Sequence, residues 1–141
     1  MTEADRLIAA LRLARHPEGG WYRQTWAGPE VAGRATGTAI LFLLARGEVS
    51  HWHHVDADEI WFWHAGAPLI LSMGQTTAAE HRLGPDILGG DLAQQIVPQG
   101  WWQAARTTGD WTLVSCTVSP GFRFAGFVLA APEFDLPRAA Q

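Results

Sequence analysis

Between residues 47 and 66 the chain places several histidines just ahead of a glutamate, a pattern that serves either metal binding or proton transfer. His51, His53 and His54 come shortly before Glu59, with Gly47 and Gly66 on either side. Two imidazoles and a carboxylate on one concave face make a donor set for a divalent transition ion. His51, His53 and Glu59 form such a set if the stretch is extended, because alternation then puts His51, His53 and Val55 on one side and His54 on the other. A metal-free site is the second possibility. A neutral imidazole beside a carboxylate acts as a general base when another hydrogen bond fixes its tautomer, and His53 with Glu59 is the candidate pair. The same two residues also read as a satisfied polar pair inside a barrel.

The elements that must hold these groups read mostly as strands. A short helix is expected over Thr2 to Leu13, with Thr2 as its cap, Asp5 three residues on, and Leu7, Ile8 and Leu11 on one face. His16-Pro17-Glu18-Gly19-Gly20 breaks regular structure and reads as a loop, either a lid or a dimer contact. Strands are predicted over Trp21 to Trp26, Thr38 to Leu44, Asp58 to His64, Leu69 to Met73, Glu80 to Leu83, Gln95 to Val97, Trp102 to Arg106, Trp111 to Val118 and Arg123 to Leu129. Gly, Pro and Asp clusters separate them. Many short strands without intervening helices argue a sandwich or small barrel, and Ala78 to Asp91 is where strand gives way to loop. The expected organisation is one domain over 1–141: helix and loop to residue 20, barrel over 21–130, and a tail over 131–141 lying on the surface or across a partner subunit.

Alternation along Asp58 to His64 puts Glu59, Trp61 and Trp63 on one face, so Trp61 and Trp63 are expected to line the same interior as Glu59. Eight Trp is a heavy load for 141 residues. Trp serves as core filler or as the apolar wall of a pocket with a few polar anchors. Arg23, in an aromatic strand, can grip a carboxylate or phosphate or form a surface ion pair. Cys116, the only cysteine, shares a strand face with Val114 and Val118 and reads as an inert core thiol. With one cysteine no intrachain disulfide is possible, and a reducing, cytoplasmic location is expected. The net charge of −4 and the absence of a basic run argue against nucleic acid or an anionic membrane as partner. No apolar run reaches the roughly 18 residues of a membrane helix.

Several stretches together carry a family pattern. They include His16-Pro17-Glu18-Gly19-Gly20-Trp21-Tyr22-Arg23, Trp52-His53, Val55-Asp56-Ala57-Asp58-Glu59-Ile60-Trp61, Ala65-Gly66-Ala67-Pro68-Leu69, Val97-Pro98, Trp102-Gln103-Ala104 and Cys116-Thr117-Val118-Ser119-Pro120-Gly121-Phe122. From about His16 to Leu129 the chain resembles the small single-domain cupins of the fifth cupin subfamily. The resemblance implies an all-β, double-stranded β-helix (a jelly-roll barrel), usually a homodimer. In metal-binding cupins the frame runs Gly, five residues, His, one, His, three or four, Glu, six, Gly, with a last His after a Pro-x-Gly turn. Here Gly47, His53, Glu59 and Gly66 fall in register, but Val55 stands for the second His and Gln103 for the last. A valine donates nothing to a metal, and a glutamine amide is a weak oxygen ligand but a good two-way hydrogen-bonding group. No cofactor is therefore expected; were a metal held, His51, His53, Glu59 and Gln103 would be its ligands. The expected function is binding of a small sugar-like or carboxylate ligand in a Trp-lined pocket, with His53, Glu59 and Gln103 as anchors and Trp61, Trp63, Trp102 and Arg23 contributing. The alternative is a metal-independent isomerase or epimerase with His53 as base and Glu59 orienting it.

Overall fold

Helix α1 (Glu3–Ala10) opens the chain. The Thr2 hydroxyl accepts the Asp5 N–H at 3.1 Å, and the Asp5 carboxylate accepts the Thr2 N–H at 3.1 Å, a capping box that satisfies two otherwise orphaned donors. The helix stops short of the expected Leu13 because Arg12 turns left-handed, with φ of 56°. Leu7, Ile8 and Leu11 still act as one face: with Ala4 and Leu13 they pack against Trp21, Leu41, Leu43 and Leu113.

The computed structural model describes residues 1–140, and after α1 they form strands almost throughout. These are β1 (Ala14–Arg15), β2 (Trp21–Ala27), β3 (Glu30–Val31), β4 (Arg34–Ala35), β5 (Thr38–Ala45), β6 (Val49–Val55), β7 (Asp58–Gly66), β8 (Leu69–Gly74), β9 (Ala78–Leu83), β10 (Gln94–Val97), β11 (Trp102–Thr107), β12 (Trp111–Ser119) and β13 (Phe127–Leu129). A six-stranded sheet runs β1-β2-β5-β12-β7-β10 and a five-stranded sheet runs β13-β6-β11-β8-β9, while β3 and β4 pair with each other. All these pairings are antiparallel. Hence the chain is all-β with one short helix.

The inner faces of the two sheets bury a common core. Phe42, Leu44, Trp61, Val97 and Val114 come from the six-stranded sheet; Leu69, Leu71, Met73, Leu83 and Ala105 come from the other. Alternation is what delivers them: in β12 every second residue from Thr112 to Val118 is buried. Each large apolar side chain so buried contributes about 1.5–3 kcal/mol.

Two departures from the sequence reading matter, and one of its alternatives is narrowed. Strand β6 falls where none is predicted. The expected strand from Arg123 is instead a 3₁₀ turn, Phe124–Gly126, followed by the short β13. The C-terminal tail packs on the outer face of its own five-stranded sheet, where Leu136 and Phe134 join Trp52, Trp102 and Ala78. Trp52 Nε1–H donates to Asp135 at 2.9 Å, and Ala78 N–H donates to the Pro137 carbonyl at 2.9 Å.

Candidate ligand cavity

The site begins with an irregularity in β6. Opposite β11, His53 pairs with Gln103 while Ser50 pairs with Ala105, so three steps on β6 match two on β11. The extra residue is a β-bulge, and it resets the alternation. Ser50 and His53 both turn inward and are buried. His51 turns outward, and its Nε2–H donates to the Ala131 carbonyl at 2.8 Å. The expectation that His51 shares a face with His53 is thus corrected; plain alternation does not survive the bulge. His53 Nδ1–H donates to the His51 carbonyl at 2.7 Å. In the neutral ring that leaves the Nε2 lone pair for the interior.

The His16–Gly20 loop supplies the second part. It folds back on itself, with His16 N–H donating to the Gly20 carbonyl and Gly19 N–H to the His16 carbonyl, both at 3.0 Å. Both glycines have left-handed φ, 107° and 79°. A Cβ on Gly19 would lie 2.0 Å from the Val49 carbonyl oxygen, and one on Gly20 would lie 2.7 Å from the Phe42 ring. Only glycine lets the loop press this close. His16 and Glu18 are consequently 7% and 9% exposed. Glu18 Oε1 stands 3.3 Å from His16 Nδ1 and 3.5 Å from His53 Nε2, and its other oxygen accepts the Ser50 hydroxyl. His16 Nδ1 accepts the Glu18 N–H at 3.2 Å. Two residues read from sequence as a lid or dimer contact therefore reach the centre of the site. The signal that could have shown this is the Gly-Gly pair directly after Glu18.

A third group approaches from β7 and β11. Gln103 Nε2–H donates to Glu59 at 2.9 Å, and Gln103 Oε1 accepts Trp61 Nε1–H at 2.7 Å. Glu59 is thus held in place by a buried relay from an indole.

Around these groups lies a cavity of about 250 Å³. Its polar wall is His16, Glu18, Gln24, Thr38, His53 and Glu59; its apolar wall is Tyr22, Ile40, Val55, Val118, Phe122 and Phe124, with Cys116 between. Phe122 and Phe124 stand edge to face at 5.0 Å. Their segment is held by Asp56, which accepts from Arg34 at 2.7 Å and Arg123 at 3.2 Å, and Arg34 Nε–H also donates to the Gly121 carbonyl at 2.8 Å.

Other candidates from the sequence lie elsewhere. Trp61 is buried behind Gln103 and reaches the site only through that amide. Trp63 packs at the edge of the core and its Nε1–H donates to the Ala67 carbonyl at 3.0 Å. Neither indole lines the cavity. Arg23 points out of the barrel and donates from Nε to the Leu11 carbonyl at 2.8 Å. Trp102 is on the outer face, its ring 4.5 Å from His54 and 4.7 Å from Phe134.

Burial dominates the electrostatics. It pushes Glu18 up to about 8, with the Ser50 hydrogen bond opposing. Glu59 is pushed up to about 7, again by burial, with His53 pulling the other way. His16 is held down to about 4 by burial and by His53, and His53 itself is lowered. The short His–Glu distances are therefore contacts between neutral imidazoles and a proton-bearing carboxyl at neutral pH, not ion pairs. The donor set suits a metal poorly. Among the described residues, no three or more His, Cys, Asp or Glu side chains gather to hold an ion. Of the four conditional ligands, His51 faces away and the Gln103 oxygen is occupied by Trp61.

Two antiparallel sheets closing on a shared core, with a polar cavity at one end, define the jelly-roll barrel of the cupins. Residues 5–130 match the family Cupin_5, described as cupin superfamily (DUF985), and the chain belongs to that family. A Shewanella oneidensis protein of known crystal structure is similar at 38% identity, with 93% of this chain and 86% of that chain covered and a TM-score of 0.87. A hypothetical protein from Leishmania major is similar at 30% identity, covering 90% of this chain and 86% of that one, with a TM-score of 0.82. DMSP lyase DddQ from Ruegeria pomeroyi DSS-3, at 24% identity and a TM-score of 0.59 over 82% of this chain and 54% of the lyase, shares the fold. No curated protein matches the chain.

Proposed function

We propose that the protein binds a small polar organic molecule inside the barrel, without a tightly bound metal. The observation that carries this reading is the cavity of about 250 Å³, lined by the Phe122 and Phe124 rings together with His53, Glu18 and Glu59. An apolar wall with a few convergent polar groups of shifted pKa is what a small-ligand site requires. Of the two ligand classes expected from sequence, the sugar-like one suits the site better. Hydroxyls find both donors and acceptors there, whereas Arg23, the one cation proposed to grip a carboxylate, is turned away. The test is retention of a small molecule from cell extract after dialysis, read by mass spectrometry of the denatured protein. Wild type should release a ligand, and a Val55→Phe variant that fills the cavity should not. Elemental analysis of the same sample should find transition metal well below one equivalent. Stoichiometric metal, or equal retention by the filled variant, would overturn the proposal.

A second reading, isomerisation of a carbonyl compound, is favoured by one feature. The His51 carbonyl fixes His53 with Nε2 as the proton acceptor, beside a Glu18 carboxyl that carries a proton. His53 would take the proton alpha to the carbonyl, the C–H electrons would form the enol double bond, and Glu18 would protonate the carbonyl oxygen. Reprotonation at carbon and return of the oxygen's proton to Glu18 would regenerate both groups. Glu59, near enough to bias His53 electrostatically, would help orient it. A His53→Ala variant separates the readings: an enzyme loses turnover by orders of magnitude, about 10²–10⁴ for one acid–base group, whereas a binder only weakens. A cytoplasmic setting, from the lone cysteine, and a homodimer, from the family resemblance, belong to this proposal; light scattering tests the second. Among the described residues no helix is long and apolar enough to cross a membrane.

A further inference from the structure

All ten basic side chains of the chain are arginines, and none lines the cavity. Most are committed elsewhere: Arg15 to Glu48, Arg34 and Arg123 to Asp56, Arg46 to Asp110, Arg82 to Asp91 and Arg138 to Asp135. Two carboxyl groups are nevertheless buried there, Glu18 and Glu59, with His53 close to both. His53 is 2% exposed and turns its Nε2 lone pair inward. Buried carboxyls normally sit against a guanidinium, an ammonium or a metal. Here the protein supplies no such partner, and it adds the aromatic rings of Tyr22, Phe122 and Phe124 to the cavity wall. Hydrogen-bond acceptors and aromatic rings lining one cavity are the components of a cation site.

Resting on the cavity being a ligand site, we propose that its ligand carries a primary amine and binds as the ammonium ion, with the charged nitrogen between Glu18, Glu59 and His53 and its apolar carbons against Phe122 and Phe124. A small amino alcohol or amino sugar has this chemistry and keeps the hydroxyls that Gln24 and Thr38 can serve. The cation replaces the missing counter-charge, so the carboxyls ionise on binding. A carboxylate would bring a third acid to two and would be rejected.

The test uses three probes matched in shape: n-propylammonium, propionate and 1-propanol, titrated into the whole protein at neutral pH. Binding is read from histidine ring NMR shifts. Propylammonium should bind at least about tenfold more tightly than either isostere, the margin of a charge-assisted over a neutral hydrogen bond. Glu18→Gln should abolish that preference, bringing propylammonium to the affinity of propanol. Glu59→Gln serves the same purpose if the first variant folds poorly. Tighter binding of propionate or propanol would overturn the ligand class while leaving the cavity as a binding site. No shift with any probe would overturn the class and the site together. Zinc chloride that shifts the same resonances and displaces propylammonium would assign the acceptors to a metal instead.

Discussion

The two ends of the barrel interior are built by the same strands and differ in almost everything else. Strand β5 gives Leu44 and Phe42 to the core and then Ile40 and Thr38 to the cavity; β12 gives Val114 and then Cys116 and Val118; β7 gives Trp61 and then Glu59. At the core end, Leu69, Leu71, Leu83 and Val114 are fully enclosed and need only shape. At the cavity end the apolar lining is joined by buried polar groups, each of which must find a partner or lose several kcal/mol. The partners are found within the cluster: Gln103 for Glu59, Trp61 for Gln103, Ser50 for Glu18 and a carbonyl for His53. Alternation alone builds the first end. The second requires a bulge and a glycine-dependent loop as well.

That contrast can be broken most forcefully at the core. Leu71→Ala should cost about 2–5 kcal/mol in urea unfolding while leaving ligand retention intact in the folded fraction; loss of retention without loss of stability would erase the division. Gln103→Leu acts at the boundary. It removes the acceptor of Trp61 and the donor to Glu59, so about 1–3 kcal/mol should be lost, together with retention, which the core variant keeps. The gentlest probe is pH. Burial raises Glu18 from 4.5 to about 8 and Glu59 to about 7, so the folded state binds more protons than the unfolded chain across that interval. Their contribution is complete below the unfolded value and is lost as pH rises through the folded values. The lowered histidines oppose this only below about 6.5, where the unfolded imidazoles begin to charge. From pH 6.5 to 8 stability should therefore fall, by roughly 1 kcal/mol per pH unit for each retained proton, and Glu18→Gln should flatten the decline. A stability that rises over that range would show the carboxyls to be ionised in the fold.

Much of the fold was legible because its signals are local. The Thr2–Asp5 box and the strands from Thr38, Asp58, Leu69 and Trp111 follow from capping, periodicity and turn residues, and each is found within two or three residues of its expected place. Strand β6 was not, because three histidines and an irregular register hide the alternation that marks a strand. Within the site, His53 and Glu59 line the cavity and Gln103 stands behind Glu59. Glu18 and His16 could not be placed from spacing, since a loop far away in sequence carries them in. Trp63 was expected inside with Trp61, but the β7–β12 register shifts between Leu113 and Val114, next to Trp63, and its indole ends at the edge of the core. Arg23 and Trp102 occupy outward positions of their strands, where a functional and a packing role look alike in one sequence.

The irregular register of β6 also works as a reading frame. Shortening the chain by one residue at His51 or Trp52 would match two steps on β6 to two on β11 and keep both Ser50 and His53 facing inward, whereas losing His54 would put His53 and Val55 on opposite faces. In diversification of this scaffold, a single-codon deletion is therefore tolerated at the bulge and disruptive two residues later, and alignments that slide a gap through β6 would assign the wrong histidine to the pocket.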